Sequence, residues 1–317
     1  MTLTSTTTPT PTRTWLPVAA VAFTLVTWAS AFVAIRHLGT TVPPGSLSLG
    51  RLVVAVAVLA LLVLRQPHRR LPNRGEWPLI ALGGASWIGI YNLALNEAER
   101  RIDAGTAALL VQIGPIIVAL LATLVLGERT TRWLLVGLAV GFAGVVVIGR
   151  ASSTGDNGDL VGVLLGVVAA VTFAVGVITQ KKLLTSGMTA LEMTLWFYVV
   201  GMVVCLPWTG ELLGVAASAS ASDVFWVVWL GVFPSAIAFV TWAYALSHSN
   251  AGTFALSTFL VPFITTLIAW LLLDEVPPAM AFVGGGLCIA GVLITRRTPR
   301  EPAVACEPGA EPAADGR

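Results

Sequence analysis

The sequence has few charged residues for its length. Lys, Arg, Asp and Glu together make up 11% of the 317 residues, whereas about 25% is usual in soluble domains. So few charges cannot cover the surface of a water-soluble globule, and they exclude a soluble enzyme of this length. The hydrophobic share of 56% excludes intrinsic disorder, which needs low hydrophobicity and high net charge. The composition is typical of an integral membrane protein.

Cysteine and histidine are also scarce, and this removes several kinds of chemistry. Two of the three cysteines, Cys205 and Cys288, lie inside apolar runs, so no disulfide framework is expected. The histidines, His37, His68 and His248, fall at the ends of apolar runs without the spacing of a metal site or a nucleophile. No GxxxxGK[ST] phosphate loop is present, which excludes ATP-driven transport. We therefore expect no metal, no cofactor and, at a net charge of +2, no nucleic acid partner.

Ten apolar runs are each long enough to cross a bilayer core, which takes about 20 residues per helix. The chain is therefore predicted to be an all-α integral membrane protein with ten transmembrane helices. Its terminal segments, 1–14 and 298–317, are rich in threonine or proline and are predicted to be disordered tails. The predicted spans are 15–37, 46–65, 77–97, 102–126, 131–149, 159–184, 190–209, 224–247, 250–273 and 278–296.

The first run has an alternative interpretation as a cleaved signal peptide. Arg13 precedes it, and Ala29-Ser30-Ala31 has the small residues of a cleavage site. However, the apolar run continues past that site and has a counterpart later in the chain. We therefore favour a transmembrane helix.

Comparison of the chain with itself reveals a duplication. With a shift of 147 residues, 17 of the 45 positions from 104 to 148 are identical, and Pro115 aligns with Pro262. This divides the chain into two five-helix repeats, 15–150 and 151–297. Because five is odd, the second repeat enters the membrane from the opposite face, so the two halves are predicted to be inverted. Inverted halves favour alternating access around a midplane site; the alternative is that duplication merely enlarged a helical scaffold.

The distribution of basic residues predicts the orientation. Cytoplasmic loops carry an excess of Lys and Arg. With both termini inside, thirteen of the 18 basic residues lie on the cytoplasmic side. We therefore predict a multi-pass protein of the cell membrane with both termini in the cytoplasm.

Two motifs, one in each repeat, carry a resemblance to a known family. PIIVALLATLVLGE runs from Pro115 to Glu128, and PFITTLIAWLLLDE from Pro262 to Glu275. Both resemble the EamA-type repeat of the drug/metabolite transporter superfamily, although Asp274 replaces the glycine that precedes Glu128. The resemblance implies a ten-helix carrier, most often an exporter of amino acids or related metabolites. Its partners would be a small-molecule substrate and the lipid bilayer, and a homodimer is left open.

Polar and aromatic side chains inside the predicted spans are candidates for substrate binding. Unsatisfied amides cannot face hydrocarbon, so the asparagines of the third helix are expected to face the bundle interior. Gln112 is expected near the midplane. Ordinary packing between helices is the alternative for the members of the set other than Gln112. The candidates are Trp28, Tyr91, Asn92, Asn96, Gln112, Thr172, Trp242 and Tyr244.

Arg51 is a charge inside the second span, and such a charge is costly unless it is paired. The topology favours Glu97 and Glu99 as partners, with Asp103 nearby. The interpretations are a structural ion pair, an anion contact, or a gate that opens when the pair breaks. Proline inside a helix removes a backbone hydrogen bond and kinks the helix, so Pro115 and Pro262 are predicted hinges.

The hypothesis for the substrate is a small, zwitterionic or weakly polar metabolite, because the candidate binding residues are mostly neutral amides, hydroxyls and aromatics. A membrane-embedded lipid-modifying enzyme and a non-transporting receptor or scaffold are the rival classes.

Overall fold

A computed structural model describes residues 15–38, 41–102, 109–152, 159–273 and 279–295. These ranges form helices and contain no β-strand. The predicted tails and Asp103 lie outside the described residues. In chain order the helices are α1 Trp15–Leu38, α2 Pro44–Leu64, α3 Trp77–Ala98, α4 Leu109–Leu126, α5 Arg132–Ser152, α6 Leu160–Thr185, α7 Ala190–Ser218, α8 Ala221–Ser247, α9 251–273 and α10 Ala279–Thr295.

Eight helices in the described ranges, α2 to α9, are long and apolar enough to cross a membrane. α1 and α10 contain the shorter apolar stretches Trp15–Ala31 and Ala279–Thr295. The chain is therefore a multi-pass, all-helical membrane protein. Large apolar side chains such as Leu124, 71% exposed, project from the outer faces of the bundle, where lipid takes the place of water.

The connection between α7 and α8 is shorter than the sequence predicts. The predicted spans end at 209 and resume at 224, but helix continues to Ser218 through a 3₁₀ turn at Leu206–Trp208. No proline follows within this stretch, and the residues beyond the turn retain helical geometry. The next helix begins early because Ser220 and Asp223 form a capping box that satisfies its first backbone donors.

Two helices contain π-helical turns that hydropathy does not predict. In α3 the turn covers Gly84–Ile90, and in α8 it covers Gly231–Ile237. The two turns begin 147 positions apart, which is the shift of the sequence duplication. Pro234 lies inside the second turn and cannot donate a backbone hydrogen bond. π-turns are rare and frequently lie at functional sites.

α4 and α9 are each interrupted near a proline. In α4 the regular helix gives way to a turn at 112–113 and resumes at Gly114, so that Pro115 lies in its first turn. In α9 a 3₁₀ segment, Leu256–Phe259, precedes the stretch that contains Pro262. These interruptions coincide with the predicted hinge positions; whether the helices move there stays a prediction.

α5 and α10 pack against each other through glycines. A Cβ atom on Gly144 would lie 2.5 Å from the carbonyl oxygen of Gly284, and one on Gly291 would lie 2.6 Å from the amide nitrogen of Gly141. The backbones approach this closely only because no side chain intervenes. Elsewhere α1 packs on α8 and α9, α2 on α7 and α8, and α6 on α3 and α4. The core of the bundle therefore joins elements from both repeats.

Candidate functional site

A cluster of aromatic side chains fills the centre of the bundle. Ring centroids are 4.9 Å apart for Trp28 and Trp242, and 4.9 Å for Trp87 and Phe239. All members except Trp28, which is half-buried, are buried. Because the members come from both repeats, the cluster lies between the two halves of the sequence. We call Trp28, Trp87, Phe173, Phe239, Trp242 and Phe254 the aromatic cluster.

The π-turns position several of these side chains. Trp87 lies in the π-turn of α3, and the π-turn of α8 presents the carbonyl oxygen of Pro234 to Trp28, whose indole nitrogen donates to it at 3.1 Å. A π-turn leaves the regular i→i−4 ladder, so its carbonyls become available to other donors. Within the described residues the indole N–H of Trp242 has no partner, although this residue is fully buried.

Arg51 lies beside the aromatic cluster and binds a serine. Its Nε and Nη2 atoms both donate to the Ser235 hydroxyl oxygen, at 3.0 Å each. The guanidinium group also interacts electrostatically with Tyr91 and Tyr198, and the Tyr198 ring lies 5.3 Å from Phe239. Arg51 is only 8% exposed. A buried cation is therefore surrounded by neutral hydroxyl groups.

The structure does not form the predicted ion pair of Arg51 with Glu97 or Glu99. Glu97 binds Arg101 at 2.8 Å and Arg100 at 3.5 Å. These arginines are adjacent in sequence to the end of α3 and reach the carboxylate within one turn, whereas the Arg51 side chain points to α8. In the part of the chain that the structure describes, Arg51 has no carboxylate partner.

The predicted polar face of α3 is divided between two environments. Asn96 is buried, and its amide nitrogen donates to the Ser48 hydroxyl of α2 at 2.9 Å. Asn92 is half-buried and donates to the carbonyl oxygen of Ile88 in its own helix. Glu99 follows on the same side, one turn beyond Asn96, and burial raises the pKa of its carboxyl to about 7.

Gln112 connects the interruptions of α4 and α9. Its side-chain amide donates to the Thr258 carbonyl oxygen at 2.8 Å, and both residues are buried. The 3₁₀ segment breaks the regular helical bonding there, so the carbonyl accepts a side chain from the other half of the sequence. Gln112 is thus held between helices.

Two further candidates lie apart from these groups. The Thr172 hydroxyl donates to Val168 of its own helix, and its side chain is part-exposed. Tyr244 packs on His248, 4.6 Å away near the end of α8, where Ser247 and His248 are exposed. Neither residue joins the aromatic cluster or Arg51, and their role as substrate ligands stays a prediction.

A polar clasp closes one end of the bundle. Glu76, 4% exposed, accepts hydrogen bonds from both terminal nitrogens of Arg70, at 2.7 and 3.0 Å, and from the Ser186 hydroxyl at 2.8 Å. The hydrogen bonds from Arg70 are the main cause that lowers the pKa of Glu76 to about 2. Ser186 belongs to the second repeat and Glu76 to the first. We call Arg70, Asn73, Glu76, Ser186, Thr189 and Glu192 the polar clasp.

More hydrogen bonds join the repeats at the same end. The Glu128 carboxylate accepts from the backbone nitrogens of Ala251 and Gly252, at 2.7 and 3.2 Å, and so caps the start of α9. Lys181 donates to the carbonyl oxygens of Leu246 and Ser249 at the end of α8. This end of the bundle is therefore closed by both charged and backbone groups.

The opposite end contains a cavity of about 400 Å³. It lies where α2 begins and α3 ends, and its lining includes Pro44, Glu97, Arg100, Trp208 and Glu211. This end also has hydrogen bonds between the repeats, such as the one from Ser46 to Glu211 at 2.7 Å, and the two ends differ in the cavity that lies beside them here. The described residues include no group of three or more His, Cys, Asp or Glu side chains that would hold a metal ion.

Sequence reasoning missed Trp87, Tyr198, Phe239 and Ser235. The three aromatics lie in apolar runs that give no periodic signal, because buried helices are hydrophobic on all sides. Ser235 had a signal, since it follows a proline within a predicted span. A small hydroxyl residue next to a helix-breaking proline indicates that the helix is irregular there.

Comparison with known protein families decides the class. The model of the EamA-like transporter family matches residues 15–150 and again residues 160–297. The chain belongs to the EamA-like transporter family. The two matched segments together cover most of the described residues.

Relatives of this EamA family member are named as transporters, not enzymes. A "Probable terminal-alkyne amino-acid exporter" of Streptantibioticus cattleyicolor is 39% identical over 92% of this chain and 97% of its own length. The "Uncharacterized transporter YdfC" of Bacillus subtilis is 32% identical over 84% of this chain and 87% of its own. A crystal structure at 20% identity superposes with a TM-score of 0.70 over 88% of this chain and 95% of that chain, which supports the fold alone.

Proposed function

We propose that this EamA family member is a secondary transporter that exports amino acids or related small metabolites by alternating access. The observation that carries the proposal is the inequality of the two ends of the bundle. The polar clasp closes one end, whereas a cavity of about 400 Å³ lies at the other. Alternating access requires a conformation that is closed on one side and accessible from the other.

Ten spans in two inverted five-helix repeats, 15–150 and 151–297, form the scaffold of this mechanism. α1 and α10 are the first and last spans. The α5–α10 contact supports the inversion. A Cβ on Gly137 would lie 2.7 Å from the Gly291 carbonyl oxygen, and one on Gly284 would lie 2.6 Å from that of Gly144. These two contacts interconvert when each residue is exchanged for its counterpart 147 positions away, as expected for a two-fold axis.

The orientation places the polar clasp on the cytoplasmic side, with both termini inside the cell and the cavity facing out. Support comes from the basic residues of the loop before α3, which include Arg65, Arg69 and Arg74. The contact between Glu76 and Ser186 also supports the inverted topology, since parallel repeats of five helices would put these two loops on opposite faces.

The substrate is a small molecule with an apolar body, held between the halves by the aromatic cluster, Asn96 and Gln112. The relative from Streptantibioticus cattleyicolor, which bears the name of an amino-acid exporter, supports this class. The hydroxyl groups near the cluster, those of Tyr91, Tyr198 and Ser235, are neutral and suit a zwitterion better than a highly charged solute. Pro115 and Pro262 serve as hinges, because the interruptions of α4 and α9 lie beside them.

Counterflow in proteoliposomes tests the proposed function. Vesicles with purified protein, loaded with unlabelled amino acids that include propargylglycine, should accumulate the labelled compound faster than protein-free vesicles. Collapse of a proton gradient distinguishes coupled transport from facilitated diffusion. No flux from a panel of amino acids, amines, nucleosides and vitamins would contradict the proposal.

A cross-linking experiment tests the alternating mechanism. Asn73→Cys with Ser186→Cys, in a background without the native cysteines, is joined across the polar clasp by a short cleavable thiol reagent. Flux should stop after cross-linking and return after cleavage, because the closed end cannot open. Each single-cysteine variant is the control. Undiminished flux in the cross-linked protein would exclude opening at this end.

A further inference from the structure

Arg51 carries a charge that no carboxylate compensates among the residues that the structure describes. It is 8% exposed, and its recorded hydrogen bonds go to one neutral acceptor, the Ser235 hydroxyl. Burial of an isolated ion costs several kcal/mol, so buried cations are normally paired. No carboxylate lies within ion-pair distance of Arg51 among the described residues. The acidic neighbour that the sequence offers, Glu97, is instead held by Arg100 and Arg101.

The guanidinium group also retains donors for a ligand. Arginine has five N–H groups in a planar fork, which matches the two oxygens of a carboxylate. Two of its nitrogens share the single oxygen of Ser235, and no bond is recorded for Nη1 among the described residues. Ser235 therefore fixes the direction of the side chain without neutralising it.

An apolar surface begins directly beside this cation. Tyr198, within electrostatic range of Arg51, packs on Phe239 at 5.3 Å. Tyr91, also in range, packs at 6.4 Å on Phe173 of the same cluster. A ligand whose anionic group bound Arg51 would therefore place the part next to that group against the aromatic rings. Such a ligand has a carboxylate at one end and an apolar or aromatic side chain at the other.

We propose that Arg51, oriented by Ser235, binds the carboxylate of an apolar amino-acid substrate whose side chain rests on the aromatic cluster. This inference rests on the proposed transport function and assigns its substrate contact. The substrate supplies the negative charge that Arg51 does not meet in the described ranges of the chain. Binding therefore removes the cost of the buried cation, and the site favours acids over their neutral derivatives.

The test compares L-phenylalanine with L-phenylalaninamide, which keeps the amine and the ring but lacks the carboxylate. Both are measured as competitors in counterflow and as ligands that raise the melting temperature of the detergent-solubilised protein. The wild type should prefer the acid by about tenfold or more, the size of a charge-assisted hydrogen bond. Arg51→Gln should reduce this ratio to about one, and Ser235→Ala should lower it by roughly threefold.

Two variants serve as controls. Arg51→Lys keeps the charge but loses the planar fork, and should give an intermediate ratio. Arg150→Gln removes an exposed arginine at the end of α5 and should leave the ratio unchanged. Because the ratio is measured within one preparation, it does not depend on the folded fraction. If Arg51→Gln does not fold, the acid-to-amide ratios of Arg51→Lys and Ser235→Ala test the proposal in its place.

The inference is overturned if the wild type binds acid and amide equally, or if Arg51→Gln retains the wild-type ratio. It is also overturned if both Arg51→Lys and Ser235→Ala leave the ratio unchanged. Binding of the acid without flux contradicts the proposed transport function but not the assignment of Arg51. Flux without a preference for the acid contradicts the assignment of Arg51 but not the proposed transport function.

Discussion

The side-chain amide of Gln112 donates a 2.8 Å hydrogen bond to the carbonyl oxygen of Thr258, across the two repeats. Each residue lies at an interruption of its helix, before Pro115 and before Pro262. The bond therefore ties together the two predicted hinge positions. A movement of one half against the other must lengthen this bond or carry both segments with it.

Replacement of Gln112 by leucine should destabilise the protein by about 1–3 kcal/mol, because it leaves a buried carbonyl without a donor. Thermal unfolding in detergent measures the loss, and counterflow should also slow. Thr258→Val is the matched control, since it keeps the carbonyl and removes only the hydroxyl, which donates to Gln112 at 3.4 Å and to the Ala255 carbonyl of its own helix at 2.8 Å. Equal loss in both variants would contradict this account.

The glycine contact of α5 and α10 gives a second prediction. Gly291→Ala adds a Cβ within 2.7 Å of the backbone of α5, which neither helix can accommodate without moving. Overpacking of this kind costs about 1–3 kcal/mol. Gly286→Ala on the same helix has nothing within 4 Å of its Cβ and should be neutral. Thermal unfolding of the two variants measures the difference, and equal melting temperatures would contradict the contact.

The all-helical membrane class and the family could be predicted from sequence because both depend on local patterns. Hydropathy marks helices of about 20 residues whatever their packing, and the duplication is a linear comparison. The length of α7 was missed because glycines such as Gly210 and Gly214 resemble a loop, although neither is forced out of helical geometry. Local composition thus predicts where helices lie better than where they end.

The contacts of Arg51 could not be predicted in this way. Its expected partners, Glu97 and Glu99, were chosen by closeness of loops in the topology. The observed partner, Ser235, comes from the other repeat, and it reaches Arg51 through a π-turn that hydropathy does not detect. Gln112 was expected near the midplane as a substrate ligand, and the structure adds a hydrogen bond to Thr258, because a buried amide needs a partner wherever it lies. Which partner it finds depends on the tertiary packing.

The polar clasp predicts how stability depends on acid. The pKa of Glu76 is lowered to about 2 from 4.5, chiefly by hydrogen bonds from Arg70. A lowered carboxyl pKa stabilises the folded state above the unfolded value of 4.5, and this contribution disappears as the pH falls towards 2. Because Arg70 is 38% exposed and solvent screens the pair, we expect the Glu76 carboxylate to contribute about 2 kcal/mol to the free energy of unfolding at neutral pH.

Glu76→Gln should therefore lower the melting temperature at neutral pH and flatten its decline below pH 4.5. Glu97→Gln is the matched control, because its arginine partners are 39% and 64% exposed and such pairs contribute about 0–1 kcal/mol. Thermal unfolding across this pH range checks both variants. A decline in Glu76→Gln as steep as in the wild type would exclude the clasp as its source.

Glu99 predicts the opposite dependence at higher pH. Burial raises the pKa of its carboxyl from 4.5 to about 7, and Tyr91 is the titratable group that interacts with it. The nearby arginines, Arg100 and Arg101, bind Glu97 instead. The folded protein thus holds a proton that the unfolded chain releases between pH 4.5 and 7, so stability falls as the pH rises through this window and levels off above it.

Glu99→Gln removes the titrating proton, so its melting temperature should fall less than that of the wild type between about pH 5 and about pH 8. Glu97→Gln should keep the wild-type decline, because Glu97 is already paired with two arginines at the end of α3. Thermal unfolding in detergent, with the buffer as the only variable, measures the two slopes. Parallel profiles for wild type and Glu99→Gln would mean that this carboxyl is ionised throughout the range, and that solvent reaches it freely.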